Sequence, residues 1–211
     1  VAKVKTRDRI LTTSLALFNE LGEPNVTTLL ISDELNISPG NLYYHFRSKS
    51  DIVGELFGQY SHEINDLLAI PKDVEVSLDQ LGFFLHLLFE TIERYRFLYH
   101  DLVNILSRYP ELRPGFRRIL DSKQKGFQIL CDSLANQGLM ATEPTIIKAL
   151  CEQLTLTVCY WESFDSLRDA GNRNNLDPRR GVYQVFHLLI PHLGASASRE
   201  LYLLAQDYQP D

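Results

Sequence analysis

TLLISDELNISPGNLYYHFRSK, residues Thr28–Lys49, reads as two short helices joined by a tight turn. Thr27 or Thr28 supplies the N-cap of the first helix, and Leu30, Ile31 and Leu35 give it apolar spacing. Asn36 stops it, because a short polar side chain tolerates the left-handed conformation that a tight turn needs. Ser38 offers a second N-cap hydroxyl, and Pro39 follows at the first helical position, where a missing N–H costs nothing. Gly40 and Asn41 keep that turn slim and polar. A very short second helix with a small-residue leading edge is what a recognition helix entering a major groove requires.

Upstream, Thr6 is expected to cap a helix running to Leu21, with Ile10, Leu11, Leu15, Leu17, Phe18 and Leu21 as its buried face. Gly22 closes it and Glu23-Pro24-Asn25 is a loop, so the N-terminal end makes a three-helix bundle whose third helix is exposed. Ahead of it, Lys3, Lys5 and Arg7 form an arm that either reaches a phosphate or minor groove or is simply solvated. Downstream, Ser48 and Asp51 are spaced as a capping box and open a helix to about Ala69, broken by Pro71-Lys72-Asp73.

The rest reads as helices only. Ser77 and Gln80 form another capping box, opening a helix that is apolar on nearly all sides and therefore expected to be central. Further helices are expected over 95–107, over 111–137 with an interruption at Pro114-Gly115, and from Pro144 to Asp169 with Gly171 as C-cap. After a loop at 172–175, Asp177-Pro178 starts a helix to Leu193 kinked by Pro191, and a terminal helix runs over 196–205. With no strand-type alternation and no repeat, the fold class is all-α. A helix-turn-helix domain (1–50) joins a larger helical domain (51–211), with helix 48–69 connecting the two.

The chain of 211 residues carries a net charge of −6, which argues against nonspecific nucleic-acid binding by its whole surface. Residues 1–50 hold six basic and five acidic groups, a balance of +1, whereas the remainder carries −7. An acidic body is repelled by phosphate, so nucleic-acid contact is expected at the N-terminal end alone. No apolar run reaches the ~18 residues of a membrane span, and no signal-peptide pattern opens the chain, so a cytoplasmic protein is expected. Cys131, Cys151 and Cys159 are read as buried thiols; the last two lie roughly 12 Å apart along one helix, too far to bridge.

In the recognition stretch, Asn41 can pair with an adenine edge, and Pro39 and Gly40 can approach a thymine methyl or a phosphate. Ser38 shares that leading edge, and Tyr43 can donate to phosphate. Tyr44 reads equally as a stacking wedge or a phosphate contact, while Leu42 and Phe46 face the core. No catalytic set emerges: there is no phosphate-cradling glycine loop, no nucleophile elbow and no paired carboxylates. His187 and His192 fall on different helix faces, and His86 and His100 on different helices, so neither a metal nor another cofactor is expected.

The segments LFNELG (17–22), Thr27-Thr28 and ISPGNLYYHFRSKSDI (37–52) resemble the N-terminal domain of TetR-family transcriptional regulators. Ser14, Ser32 and Leu35 stand where that family usually has alanine, and Asn36 where it usually has glycine. The resemblance implies that His45, Lys49 and Thr28 contact the DNA backbone. It also implies an effector cavity among the middle helices, with Phe83, Phe84, Leu87, Phe97 and Trp161 as apolar walls and His86, Asn104, Gln153 and Thr157 as polar anchors. It further implies a homodimer built on the last two long helices through Leu154, Val158, Val182, Val185, Phe186 and Leu189. The expected function is a bacterial regulator, most often a repressor, that binds a palindromic operator and is released by a small, largely apolar effector. The alternative is a helical effector-binding or scaffold protein without DNA binding.

Overall fold

The computed structural model describes residues 5–168 and 177–209, and every regular element among them is helical. The arm residue Lys3, the expected cap Gly171 and the expected loop 172–175 lie outside the described residues.

Local chemistry sets most helix ends. Helix α1 spans Thr6–Leu21; Lys5, not Thr6, is its N-cap, and Thr6 is already in the first turn. Arg7 is no part of an arm, since its guanidinium stacks over the Phe46 ring at 4.9 Å and pairs with Glu55 at 2.9 Å. Helix α2 (Thr28–Leu35) is capped by Thr27, whose hydroxyl accepts from the Leu30 N–H, and it ends at Asn36 in the left-handed conformation, φ 53°. Helix α3 (Pro39–His45) is capped by Ser38. Helix α4 (Lys49–Leu67) opens on a reciprocal capping box of Ser48 and Asp51. Helix α5 (Leu78–Arg94) opens on the same device, made by Ser77 and Gln80.

The single helix expected over 95–107 is two: α6 (Phe97–His100) and α7 (Leu102–Arg108), with a break at Asp101. The break is tertiary, because Ser163 donates its hydroxyl to the carbonyls of Tyr99 and His100 at 2.7 and 3.1 Å and frees them from the helical ladder. Helix α8 (Arg113–Asn136) is not interrupted at Pro114, which sits in its first turn where no N–H is needed. Gly138, φ 72°, follows its end. Helix α9 covers Pro144–Arg168, and α10 covers Pro178–Leu189, capped by the Asp177 carboxylate. Pro191 lies in a short 3₁₀ turn after α10 rather than kinking it, and α11 (Ala195–Gln206) closes the described chain.

Helices α1 to α3 form the head. Helix α4 leaves it to pack on α5 and α8, and α10 lies between α5 and α9. One continuous apolar core runs from Ile10 and Leu42 in the head to Leu201 in α11. Helix α5 is less central than expected, since Phe83 is 63% exposed. The α5–α10 crossing is close because Gly181 is bare: a Cβ there would come within 2.3 Å of the Phe89 ring. Gly181→Ala is therefore expected to lower stability by about 1–2 kcal/mol net, overpacking exceeding alanine's helix-forming gain. Urea denaturation measures it; unchanged stability would mean that the crossing relaxes freely.

Candidate nucleic-acid interface

The turn between α2 and α3 is held by its own backbone: Asn36 N–H donates to Asp33 O and Ile37 N–H to Ser32 O, both at 3.0 Å. Ser32 is buried and donates its hydroxyl to Thr28 O at 2.9 Å, so the small side chain there serves close helix packing. The underside of α3 is anchored by buried Leu42, with Phe46 just beyond it. Its other face is open: Ser38, Pro39, Gly40, Asn41, Tyr43 and Tyr44 are all exposed, Tyr44 to 85%. Ser38 Oγ accepts from the Asn41 N–H at 3.2 Å, which leaves the Asn41 side-chain amide to the solvent edge of the first turn.

Thr28 and Tyr43 share a hydroxyl–hydroxyl hydrogen bond of 3.0 Å across the two helices. This sets the Tyr43 hydroxyl beside the start of α2, where two hydroxyls can meet one phosphate oxygen. His45 is half-buried and touches Tyr44 edge to face. Lys49 is not a free cation: Nζ donates to Glu23 O at 3.0 Å and Val26 O at 2.9 Å and pairs with the Glu23 carboxylate at 2.7 Å. Arg47 is exposed at the α3–α4 joint and was not among the sequence candidates. Its position beside the Ser48 cap was the available signal.

Two buried polar side chains of the head, Glu23 and Asn19, help fasten it to the body. Glu23, only 1% exposed, takes Lys49, an Arg108 guanidinium nitrogen and the Tyr109 hydroxyl, the last at 2.5 Å. Burial, together with that carboxylate, pushes the Tyr109 phenol well above its ordinary pKa. The buried Asn19 side chain bridges two backbone groups of the body, donating to Arg94 O at 2.9 Å and accepting from Phe97 N–H at 3.1 Å.

The nine effector candidates do not converge. Phe83, Phe84, His86 and Leu87 sit on the outer side of α5, where His86 pairs with Glu90 at 3.4 Å. Phe97 is buried against Phe18 with ring centroids 5.2 Å apart, and with Asn104 it lines a cavity of about 420 Å³ at the head–body junction. Gln153, Thr157 and Trp161 belong to the outward side of α9.

The dimer candidates lie inside the protomer. Leu154, Val158, Val182, Val185, Phe186 and Leu189 are each 0–2% exposed within one protomer, where they pack α9, α10 and α5 together. The outward face of α9 and α10 carries Leu156, Tyr160 and Phe164, exposed to 60%, 45% and 52%, around an open groove of about 440 Å³ that Leu188 also lines. Sequence periodicity had found the apolar stripe but not which of its sides faces the protomer's own core.

Residues 10–56 match the TetR_N family, described as bacterial regulatory proteins of the tetR family, and residues 59–201 match the TetR family, described as bacterial transcriptional repressor. The chain is 33% identical over 97 residues to the biofilm operon icaADBC HTH-type negative transcriptional regulator IcaR of Staphylococcus epidermidis. That match takes in 46% of this chain and 52% of IcaR, so the chain spans about half the length of the curated relatives it matches. A solved TetR-family transcriptional regulator from Marinobacter aquaeolei VT8 is 34% identical, with TM-score 0.88 over 98% of this chain and 100% of that one. SmeT, the repressor of the Stenotrophomonas maltophilia multidrug efflux pump SmeDEF, superposes with TM-score 0.63 at 15% identity, over 92% and 93% of the two chains; this is a likeness of fold alone.

Proposed function

We propose, from the premise that this chain belongs to the TetR family of bacterial transcriptional regulators, that it is a homodimeric repressor which binds a palindromic operator and is released by a small, largely apolar effector. The observation that carries the reading is α3, whose Leu42 is fully buried while its polar leading edge and both tyrosines stand in solvent. A helix with that division leaves most of its outer face to a partner, with the Tyr43 hydroxyl held in place by Thr28. The head, taken as residues 1–50, holds α3, and the body, 51–211, holds the dimer and effector surfaces. Helix α4 connects them.

DNA contact falls to Ser38, Pro39, Gly40, Asn41, Tyr43 and Tyr44 on α3, with Thr28 and His45 at its flanks. Lys49 acts mainly by fixing the start of α4 against the head, and a phosphate would have to compete with Glu23 for it. The dimer forms through the outward face of α9 and α10, around Leu156, Tyr160, Phe164 and Leu188. Two recognition helices then meet half-sites about 34 Å apart.

Fluorescence polarisation on DNA from upstream of the protein's own gene tests this. A palindromic site bound more tightly than scrambled DNA at matched salt supports the reading, and equal binding to both sinks it. Asn41→Ala should change the preferred base pair at one position per half-site, at a cost of about 1–3 kcal/mol, with little change in salt dependence. A uniform loss across all sequences would instead make Asn41 a backbone contact.

A further inference from the structure

Lys123 stands at the middle of α8 with none of its surface exposed, a rare place for a lysine without a carboxylate partner. Its Nζ donates to the Tyr99 hydroxyl of α6 at 2.8 Å, lies 3.6 Å from the Cys159 Sγ of α9, and sits 4.7 Å from the centroid of the Tyr99 ring. The Tyr99 hydroxyl is also hydrogen-bonded to the Tyr60 hydroxyl of α4. Among the described residues, no aspartate or glutamate forms an ion pair with it.

Stability does not account for this arrangement. A buried cation loses its hydration, and one neutral hydrogen bond with a ring face restores only part of it. A methionine or leucine would fill the same space without that loss. Burial accordingly lowers the lysine's pKa, with only the neighbouring Cys159 acting against the shift. The cluster therefore holds donors in excess of acceptors: an amine and two phenol hydroxyls, collected from three helices, with the Cys159 thiol of a fourth beside them. Around them the walls are aromatic, with Phe116 6.3 Å from Tyr60 and 6.1 Å from Tyr99, and Tyr95 5.5 Å from Tyr60.

We propose that Lys123 is the anchor for the head group of the effector, and that the effector is an apolar monocarboxylate. This rests on the regulator reading above and narrows its effector to one chemical class. A carboxylate matches the cluster in charge and shape: one unit of charge against one lysine, and two oxygens against the Nζ and the two phenol groups. A phosphate monoester brings about two negative charges and leaves one uncompensated among aromatic walls. The remainder of the ligand lies against Phe57 and Phe116, whose rings are 4.9 Å apart.

The same geometry supplies coupling. The Tyr99 hydroxyl bonds both Tyr60 and Lys123, so a carboxylate enters by replacing the Tyr60–Tyr99 hydrogen bond with its own. That displaces Tyr60, which α4 carries, and α4 starts at Lys49, four residues after His45 ends α3. A ligand that favours the displaced position of α4 shifts the head by as much as its affinity differs between the two positions.

The test uses the full-length protein and matched probes: octanoate, dodecanoate and naphthylacetate against octanol, dodecanol and naphthylethanol. Calorimetry should show at least one acid binding about tenfold or more tightly than its own alcohol. Lys123→Met should melt at or above the wild-type temperature and lose the preference for acid over alcohol. Should that variant fail to fold, Tyr99→Phe keeps the ring and removes one donor, and it must weaken the acid more than the alcohol. The proposal is overturned if no acid outbinds its alcohol, or if the preference survives Lys123→Met or, in its place, Tyr99→Phe. Polarisation with operator DNA on the same preparations separates the two readings. A protein that binds operator but prefers no acid refutes the anchor alone, and one that prefers an acid through Lys123 but binds no operator refutes the regulator reading alone.

Discussion

Tyr160→Glu or Phe164→Glu should convert the protein to a well-folded monomer and lower its operator affinity by about 100-fold or more. Both aromatics are about half exposed on the outward face of α9, so the protomer's own fold does not depend on burying them. In a two-fold dimer each patch meets its own copy, so one substitution introduces two like charges into an apolar contact. The affinity loss follows from the linkage of two heads: the second half-site is bound at a high effective concentration only while the heads are joined, and avidity of this kind is worth about 10²–10⁴. Light scattering gives the mass, and fluorescence polarisation at fixed salt gives the affinity. Val185→Glu is the control, because that residue is fully buried in the protomer and its replacement should unfold the chain. If the Tyr160 and Phe164 variants stay dimeric while binding DNA normally, the dimer lies on another face.

Glu23→Ala should cost about 2–3 kcal/mol, and lower the melting temperature by roughly 4–12 °C. Removing the carboxylate leaves the Tyr109 hydroxyl buried without its acceptor and takes away the partner of two cations. The figure stays below the usual range for a broken buried ion pair for two reasons. Lys49 keeps two backbone carbonyls as acceptors, and Arg108, at 41% side-chain exposure, can turn to water. Chemical denaturation followed by tyrosine and tryptophan signals reads the loss. Glu23→Gln, which keeps an acceptor and loses the charge, should fall between wild type and the alanine variant. Equal stability of all three would mean that the Glu23 cluster adds nothing to the hold exerted by the Asn19 bridge and apolar packing.

The head was legible because its boundaries are written in residues with one dominant local use. Thr27, Ser38 and the Ser48–Asp51 box each cap the helix they were expected to cap, and Asn36 takes the left-handed turn. Helix α4 likewise opens where the sequence puts it. The body was legible as helices but not as surfaces. On α9 the Leu154–Val158 stripe and the Tyr160–Phe164 stripe lie on opposite sides, and periodicity scores both as apolar without saying which meets the protomer's core. The break at Asp101 depends on a serine more than sixty residues away, so no local pattern announces it. Lys123 sits in the polar run Asp121-Ser122-Lys123-Gln124-Lys125 and reads as solvated, although α8 turns it inward. Effector candidates chosen for being aromatic or polar amid apolar neighbours scattered over three places for the same reason: composition cannot report which helices converge.

The Asn19 bridge bears on how far this head could be transplanted. Its amide satisfies the Arg94 carbonyl and the Phe97 N–H at the turn between α5 and α6, so two backbone groups of the body depend on a side chain from the head. A chimaera that joins this body to a foreign recognition domain strands both groups unless the incoming α1 carries an amide at the same position. In the reverse graft, this head brings Asn19 to a body whose turn was never shaped to receive it. Successful exchange of specificity is therefore expected to split the chain inside α3 rather than between head and body, swapping the exposed residues from Ser38 to Tyr44 and leaving α1 in place.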